Sequence, residues 1–383
     1  MNSFAFLAKA AAQRGDAPAL VHGAETIGYR EFEARALAIG GNLLATGLVP
    51  GDRVAFCLAN SPRILEVIYG CFAAGLVVVP LNARLHVREM AYIVANSGSK
   101  VLIHGDEYQA DLLAYADEFA GVSRYCLKPA EGADSYNALL EGANRLTAAA
   151  EVEATDPCWL FYTSGTTGRP KGAIWTHRMV RVITMNYLAD LHNIQPGEVV
   201  LHAAPMSHGS GIVALPAVAR GAVNAVLEPA SFEPKSLFAT IERLKVGHVA
   251  FLAPTQIIKM LDEFEPGAFD LSSLKAITYG GAPIHVVHLR RALKAFGPVF
   301  VQLFGQGEAP ITITGMTAQR HAELIASDDA RIGSAGQIRT DVEARCVDEN
   351  DQPLGPGQEG EVVVRGDIVM PGYWNNPEAT AEA

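Results

Sequence analysis

Residues 162–173 read Tyr-Thr-Ser-Gly-Thr-Thr-Gly-Arg-Pro-Lys-Gly-Ala, and here the chain gathers groups able to hold a small anion. Gly165 and Gly168 let a backbone curl until its N–H groups converge on a negative charge. The hydroxyls of Thr163, Ser164, Thr166 and Thr167 add rotatable donors, and Lys171 adds a compact cation. The apolar run 158–162, Cys-Trp-Leu-Phe-Tyr, predicts a buried strand feeding this loop. The chemistry is that of a phosphate cradle, but not of the Walker A kind, which needs four residues between its glycines and a Ser or Thr after the lysine. Here two residues separate Gly165 from Gly168, and Gly172 follows Lys171.

Three more stretches carry chemistry. Residues 279–283, Tyr-Gly-Gly-Ala-Pro, follow an apolar run, and Gly280 and Gly281 let backbone come close to a flat ligand. Residues 304–308, Phe-Gly-Gln-Gly-Glu, place an aromatic ring (Phe304) four residues before a carboxylate (Glu308), around Gly305, Gln306 and Gly307. Residues 206–211, Met-Ser-His-Gly-Ser-Gly, hold His208 between small residues. His208 reads almost equally as a core or loop-capping histidine and as a site residue. No Ser-His-Asp or Cys-His arrangement emerges, so covalent catalysis by a side chain is not expected.

In this order the four stretches resemble the signature segments of the adenylate-forming superfamily: acyl-CoA synthetases, aryl-CoA ligases, luciferases and the adenylation domains of peptide synthetases. The resemblance implies an ATP-dependent ligase that joins a carboxylic acid to coenzyme A through an acyl adenylate, with Mg²⁺ as the metal. It implies that Thr163, Ser164, Gly165, Thr166, Thr167, Gly168 and Lys171 hold the phosphates. Gly280, Gly281, Ala282 and segment 304–308 would hold the adenine and α-phosphate, with Thr163 and Glu308 as metal ligands and Lys171 and Glu308 as the catalytic pair. His208, Gly209, Gly211 and Gly281 would border the acid. Phe304 stands where the family has tyrosine, which keeps a stacking face. Gly307 stands where threonine is usual, which removes a hydroxyl. No aspartate lies between Pro205 and Pro216 to pair with an α-ammonium, and burying an unpaired ammonium is costly, so an acid without an amino group is expected. Gly209, Gly211 and Ala253 leave room for a fatty or an aromatic acid. The alternative is a nucleotide- or acyl-binding module without catalysis, or another adenylate-forming enzyme.

The elements that position these groups read as α/β. Ala5–Arg14 is amphipathic, residues 29–46 have apolar positions at helical spacing, and Ser61-Pro62 opens a helix running to Ala74. Apolar runs at 53–58, 77–80, 101–104, 199–203, 222–227, 248–252, 276–279 and 299–303 predict strands between helices, hence mostly parallel sheets covered by helices. Residues 127–155 read as a connection. From Arg331 short strands at 342–347 and 361–365, separated by Gly/Pro turns, predict a small antiparallel, barrel-like segment. The expected organisation is a first α/β subdomain over 1–150, a second with the phosphate loop over 151–330, and the antiparallel segment over 331–383. The stretches 365–374 and 376–380 resemble the approach to the family's hinge. The small C-terminal domain and its lysine are absent, so the chain reads as a large N-terminal part, expected to be largely inactive alone.

Composition agrees with an enzyme of small anions. With 383 residues, 49% hydrophobic, the chain is too long for one small core. A net charge of −11 argues against a nucleic-acid partner. Five scattered cysteines without metal spacing suggest reduced thiols, and neither a leader nor a transmembrane segment is visible, so a cytoplasmic location is expected. A homodimer stays open.

Overall fold

In the computed structural model, which describes residues 1–163, 169–228 and 231–383, the chain builds two helix-covered sheets and one antiparallel ribbon. The larger sheet has nine strands. Pro18–His22, Val223–Val226, Val199–His202, His248–Leu252, Ala276–Tyr279 and Phe300–Phe304 lie side by side and parallel. Antiparallel strands close both edges: Glu25–Gly28 on one side, Thr314–Met316 and Gln337–Ile338 on the other. Parallel strands carry helices on both faces and so become apolar on both sides. Ala276–Tyr279 is accordingly buried throughout.

The second sheet has seven strands. Asp134–Ser135, Ser123–Cys126, Ser99–His104, Arg53–Cys57, Val77–Pro80 and Pro157–Thr163 are parallel, and Lys171–Thr176 closes the edge antiparallel. The sheets exchange strands across the chain. Pro18–His22 joins the larger sheet, where Leu20 pairs with Asn224. The strand leading into the phosphate loop joins the smaller sheet, where Trp159 pairs with Val78. The stretch read as a connection contributes the short strand Asp134–Ser135 and the helix Asn137–Glu141. Glu343–Val347 and Glu361–Arg365 pair as an antiparallel two-stranded ribbon.

The apolar stretch after Pro62 is a buried helix, Pro62–Ala74, packed on Tyr29–Ala45. Its one acidic residue, Glu66, is fully buried and takes three bonds: from Arg35 at 2.9 Å, Arg63 at 2.5 Å and the Tyr136 hydroxyl at 2.7 Å. A carboxylate there is tolerable because every approach to it is a donor. Among the described residues no helix is long and apolar enough to cross a membrane. All five cysteines are free thiols, and Cys346 alone is not fully buried.

Candidate functional site

Parallel strands point their carboxyl ends to one edge of a sheet, and the segments after those ends become neighbours. Val199–His202 leads to segment 206–211, Ala276–Tyr279 to 280–283 and Phe300–Phe304 to 304–308. His248–Leu252, paired between two of these strands, brings Phe251 to the same edge. The hairpin of the smaller sheet meets that edge.

The hairpin forms because Pro157–Thr163 and Lys171–Thr176 are rich in aromatic and β-branched residues, which suit a pleated, half-buried surface. Their register sets Thr163 opposite Lys171, so the two ends of the phosphate loop face each other. Ser164, Gly165, Thr166, Thr167 and Gly168 lie outside the described residues. Beyond the second strand the Thr176 hydroxyl caps the helix His177–Asp190, accepting from the Met179 amide at 3.2 Å.

Aromatic packing joins the hairpin to the other segments. Phe161 stacks on Trp175 with centroids 4.8 Å apart and planes 7° from parallel. Trp175 Nε1 donates to Gly307 O at 2.6 Å, fixing the backbone of segment 304–308 against the hairpin. Gly307 is buried, and a Cβ there would lie 3.0 Å from Phe161 Cδ1 and closer still to Thr163 Cγ2. The hydroxyl that the family's threonine would supply is therefore replaced by direct packing of Thr163 on backbone. Glu308 follows, half-buried, and its Oε1 accepts from the Tyr373 hydroxyl at 2.5 Å. Burial, then the bond to Glu308, holds the Tyr373 phenol well above its usual pKa, so it remains a donor.

Segment 206–211 packs on the other side of Phe161. The His208 ring stands edge-on to Phe161 at 5.3 Å, and its Nδ1 is 3.0 Å from the Ser207 hydroxyl. Burial pulls its pKa below the usual histidine value, favouring the neutral ring. His208 also precedes the helix Gly209–Ala219, where its backbone carbonyl accepts from the Gly211 and Ile212 amides while its side chain makes no cap. Gly209 lies on the Phe251 ring, whose tip reaches toward Gly281; added Cβ atoms would sit 3.2 and 3.4 Å from that ring. Gly281 has φ +77°, a conformation that glycine adopts without strain. Gly211 is set apart, buried against the Met206 carbonyl.

Beside these contacts opens a cavity of about 350 Å³. One wall is Phe304 and Gly305, another is Gly281, Ala282 and Pro283, and a third is residues 332–335. Gln302 lines the cavity, and its Oε1, shielded from solvent, has no hydrogen-bond partner among the described residues. The cavity admits a flat ring stacked on Phe304. Gln306 is exposed and stands away from the cavity. The wall at 332–335 and Tyr373 were not foreseen from sequence, although the small-residue run from Gly333 to Gly336 was a signal for close approach.

Cation chemistry can be judged from the donors. Among the described residues no group of three or more His, Cys, Asp or Glu side chains is placed to hold a metal. Glu308 and Thr163 offer hard oxygens, the donor set that Mg²⁺ shares with phosphate and water. These residues fit a metal that arrives with a phosphate.

Comparison with known proteins agrees with this geometry. The profile of the family described as AMP-binding enzyme matches residues 7–374. A feruloyl-CoA synthase of an Amycolatopsis species is 36% identical over 368 residues, covering 96% of this chain and 70% of that protein. An indoleacetate–CoA ligase of Aromatoleum aromaticum is 31% identical over 362 residues, covering 93% and 68%. The inhibitor-bound N-terminal domain of FACL13 from Mycobacterium tuberculosis superimposes with a TM-score of 0.87 at 27% identity, covering 100% of this chain and 93% of that one.

Proposed function

Because the chain belongs to the AMP-binding enzyme family, we propose that it carries the adenylate site of an ATP-dependent ligase that joins a carboxylic acid to coenzyme A. The observation that carries this reading is a chain of contacts joining four segments: Thr163, opposite Lys171, packs against Gly307, Phe161 lies beside both Gly307 and His208, and residues 281–283 share one cavity with Phe304 and Gly305. Phe304 stacks on the adenine. Loop 164–168 and Lys171 hold the phosphates. Thr163 and Glu308 hold Mg²⁺, which when bound screens phosphate charge. His208 and Gly281 border the acid.

The chemistry needs no nucleophilic side chain. A carboxylate oxygen of the substrate attacks the α-phosphorus of ATP, the bond to the β-phosphate oxygen breaks, and pyrophosphate leaves. The thiol of coenzyme A then attacks the acyl carbon and AMP leaves. The protein's work is alignment and charge stabilisation in a site where water is excluded. Neutral His208 suits a place beside an anionic acid that must stay nucleophilic.

The feruloyl-CoA synthase, at 36% identity, supports an aromatic acid, and a long-chain-fatty-acid–CoA ligase of Mycobacterium tuberculosis, at 31%, supports a fatty one as the second reading. Free cysteines fit a reducing cytoplasm. The test is incubation with ATP, Mg²⁺ and a panel of aromatic and straight-chain acids, followed by mass spectrometry of the bound fraction. A trace of acyl adenylate retained in the bound fraction from at least one acid, well below one turnover, is the expected result. Tight ATP binding with no adenylate from any acid would favour a nucleotide-binding module instead.

A further inference from the structure

Stretch 370–374 is distant in sequence from the phosphate loop, yet main-chain bonds fasten it alongside. The Ile174 amide donates to Gly372 O at 3.1 Å and the Trp374 amide to Gly172 O at 2.8 Å. The stretch thus runs antiparallel beside Lys171–Thr176, with Tyr373 opposite Ala173. The Met370 amide donates to Glu308 O at 2.8 Å, which ties the same stretch to the other side of the site. Just upstream, Arg178 pairs with Asp367 at 2.5 Å. A backbone held at this many points presents its side chains with little freedom. Tyr373 uses that rigidity to touch both charged groups of the site. Its hydroxyl donates to Glu308 Oε1 at 2.5 Å, and its ring face lies under Lys171 Nζ, 5.1 Å from the centroid.

We infer that Tyr373 is a positioning residue of the phosphate site, its hydroxyl orienting the Glu308 carboxylate for Mg²⁺ and its ring face holding Lys171 beside the phosphates. The inference rests on the reading of Glu308 and Lys171 given above. The two contacts differ in what they ask of the tyrosine. A hydrogen bond to Oε1 fixes the carboxylate torsion and leaves Oε2 for a cation, and ligating carboxylates are commonly held by such outer partners. A ring face attracts an ammonium without neutralising it. A carboxylate partner would compete with phosphate for Lys171, whereas an aromatic ring keeps the lysine near and leaves its charge for the substrate. A tyrosine retained for packing alone would need the ring but not the hydroxyl.

The test is calorimetric titration of the chain with ATP at a series of Mg²⁺ concentrations, without acid, so that no turnover contributes. Tyr373→Phe removes the hydroxyl and keeps the ring. The Mg²⁺ concentration that half-saturates the gain in ATP binding should rise about 10-fold, the low end for loss of an outer-shell partner. ATP affinity without Mg²⁺ should stay at the parent value, and excess Mg²⁺ should restore full binding. Tyr373→Leu removes both contacts, and its Mg²⁺-free ATP affinity should fall as well. Glu308→Gln should lose the Mg²⁺ response, with no rescue. A Tyr373→Phe chain with the parent's Mg²⁺ dependence, beside a Glu308→Gln chain that has lost it, overturns the inference and leaves the site reading standing. Lost binding in Tyr373→Phe that excess Mg²⁺ does not rescue marks a structural role and overturns it equally. A parent chain without Mg²⁺-dependent ATP binding overturns the site reading and this inference together.

Discussion

Replacing Gly307 by threonine would restore the residue usual in the family, and by resemblance alone it should improve the site. The structure predicts the opposite. A Cβ at this position would lie 3.0 Å from Phe161 Cδ1 and inside any tolerable distance of Thr163 Cγ2, before the rest of the threonine is added. Retreat is blocked on three sides. Trp175 Nε1 holds the Gly307 carbonyl at 2.6 Å, Phe161 is stacked on Trp175, and the Thr163 methyl can yield only by turning χ1, which also moves its hydroxyl. Overpacking of this kind costs about 1–3 kcal/mol. Gly307→Thr should therefore lower unfolding stability by about that amount and weaken ATP binding by displacing Thr163. The assay is a cycle of four proteins, parent, Gly307→Thr, Thr163→Ser and the double variant, each measured by denaturant unfolding and ATP titration. Thr163→Ser removes the obstructing methyl and keeps the hydroxyl. The double variant should recover stability, with a coupling of about 0.5–3 kcal/mol. A Gly307→Thr chain as stable as the parent and binding ATP more tightly would refute the packing argument.

Two further outcomes follow from buried charge. Glu66→Gln keeps the shape of the side chain but leaves Arg35, Arg63 and the Tyr136 hydroxyl around a neutral amide, so denaturant unfolding should show a loss of roughly 3 kcal/mol with ATP affinity unchanged. His177, His202 and His321 are buried, and desolvation pulls each down to about 4 from the ordinary value of 6.5. The unfolded chain then binds more protons than the folded one between these limits. Stability should be fully present above pH 6.5 and fall toward pH 4, each histidine contributing up to about 1.4 kcal/mol per pH unit. A flat stability profile across that window would contradict the burial argument.

What the sequence made legible was local. The runs at 77–80 and 276–279 announced strands because both faces are apolar, and Pro62 announced its helix because the ring suits a first turn. Which sheet each strand joins was not legible. Leu20 pairs with Asn224, and no periodicity within either strand specifies that partner. The same limit holds at the site. Segment 280–283 showed itself through its paired glycines, and 304–308 through an aromatic ring four residues before a carboxylate. Tyr373 lies 65 residues from Glu308, and its role appears only once stretch 370–374 is docked beside Lys171–Thr176. Gly211 shows the converse: its lack of a side chain serves packing on Met206, a use that a residue list does not distinguish from a pocket wall.

The central claim is that four segments form one adenylate site. Calorimetric titration of the chain with a stable acyl-adenylate mimic carrying an aromatic acyl group tests it most directly, with AMP as the comparison and Phe304→Ala as the control. The mimic should bind more tightly than AMP. Phe304→Ala should weaken both by roughly 5- to 150-fold, the worth of one base stacked on an aromatic ring. No measurable binding of the mimic by the parent chain, or binding indifferent to Phe304, would contradict the account.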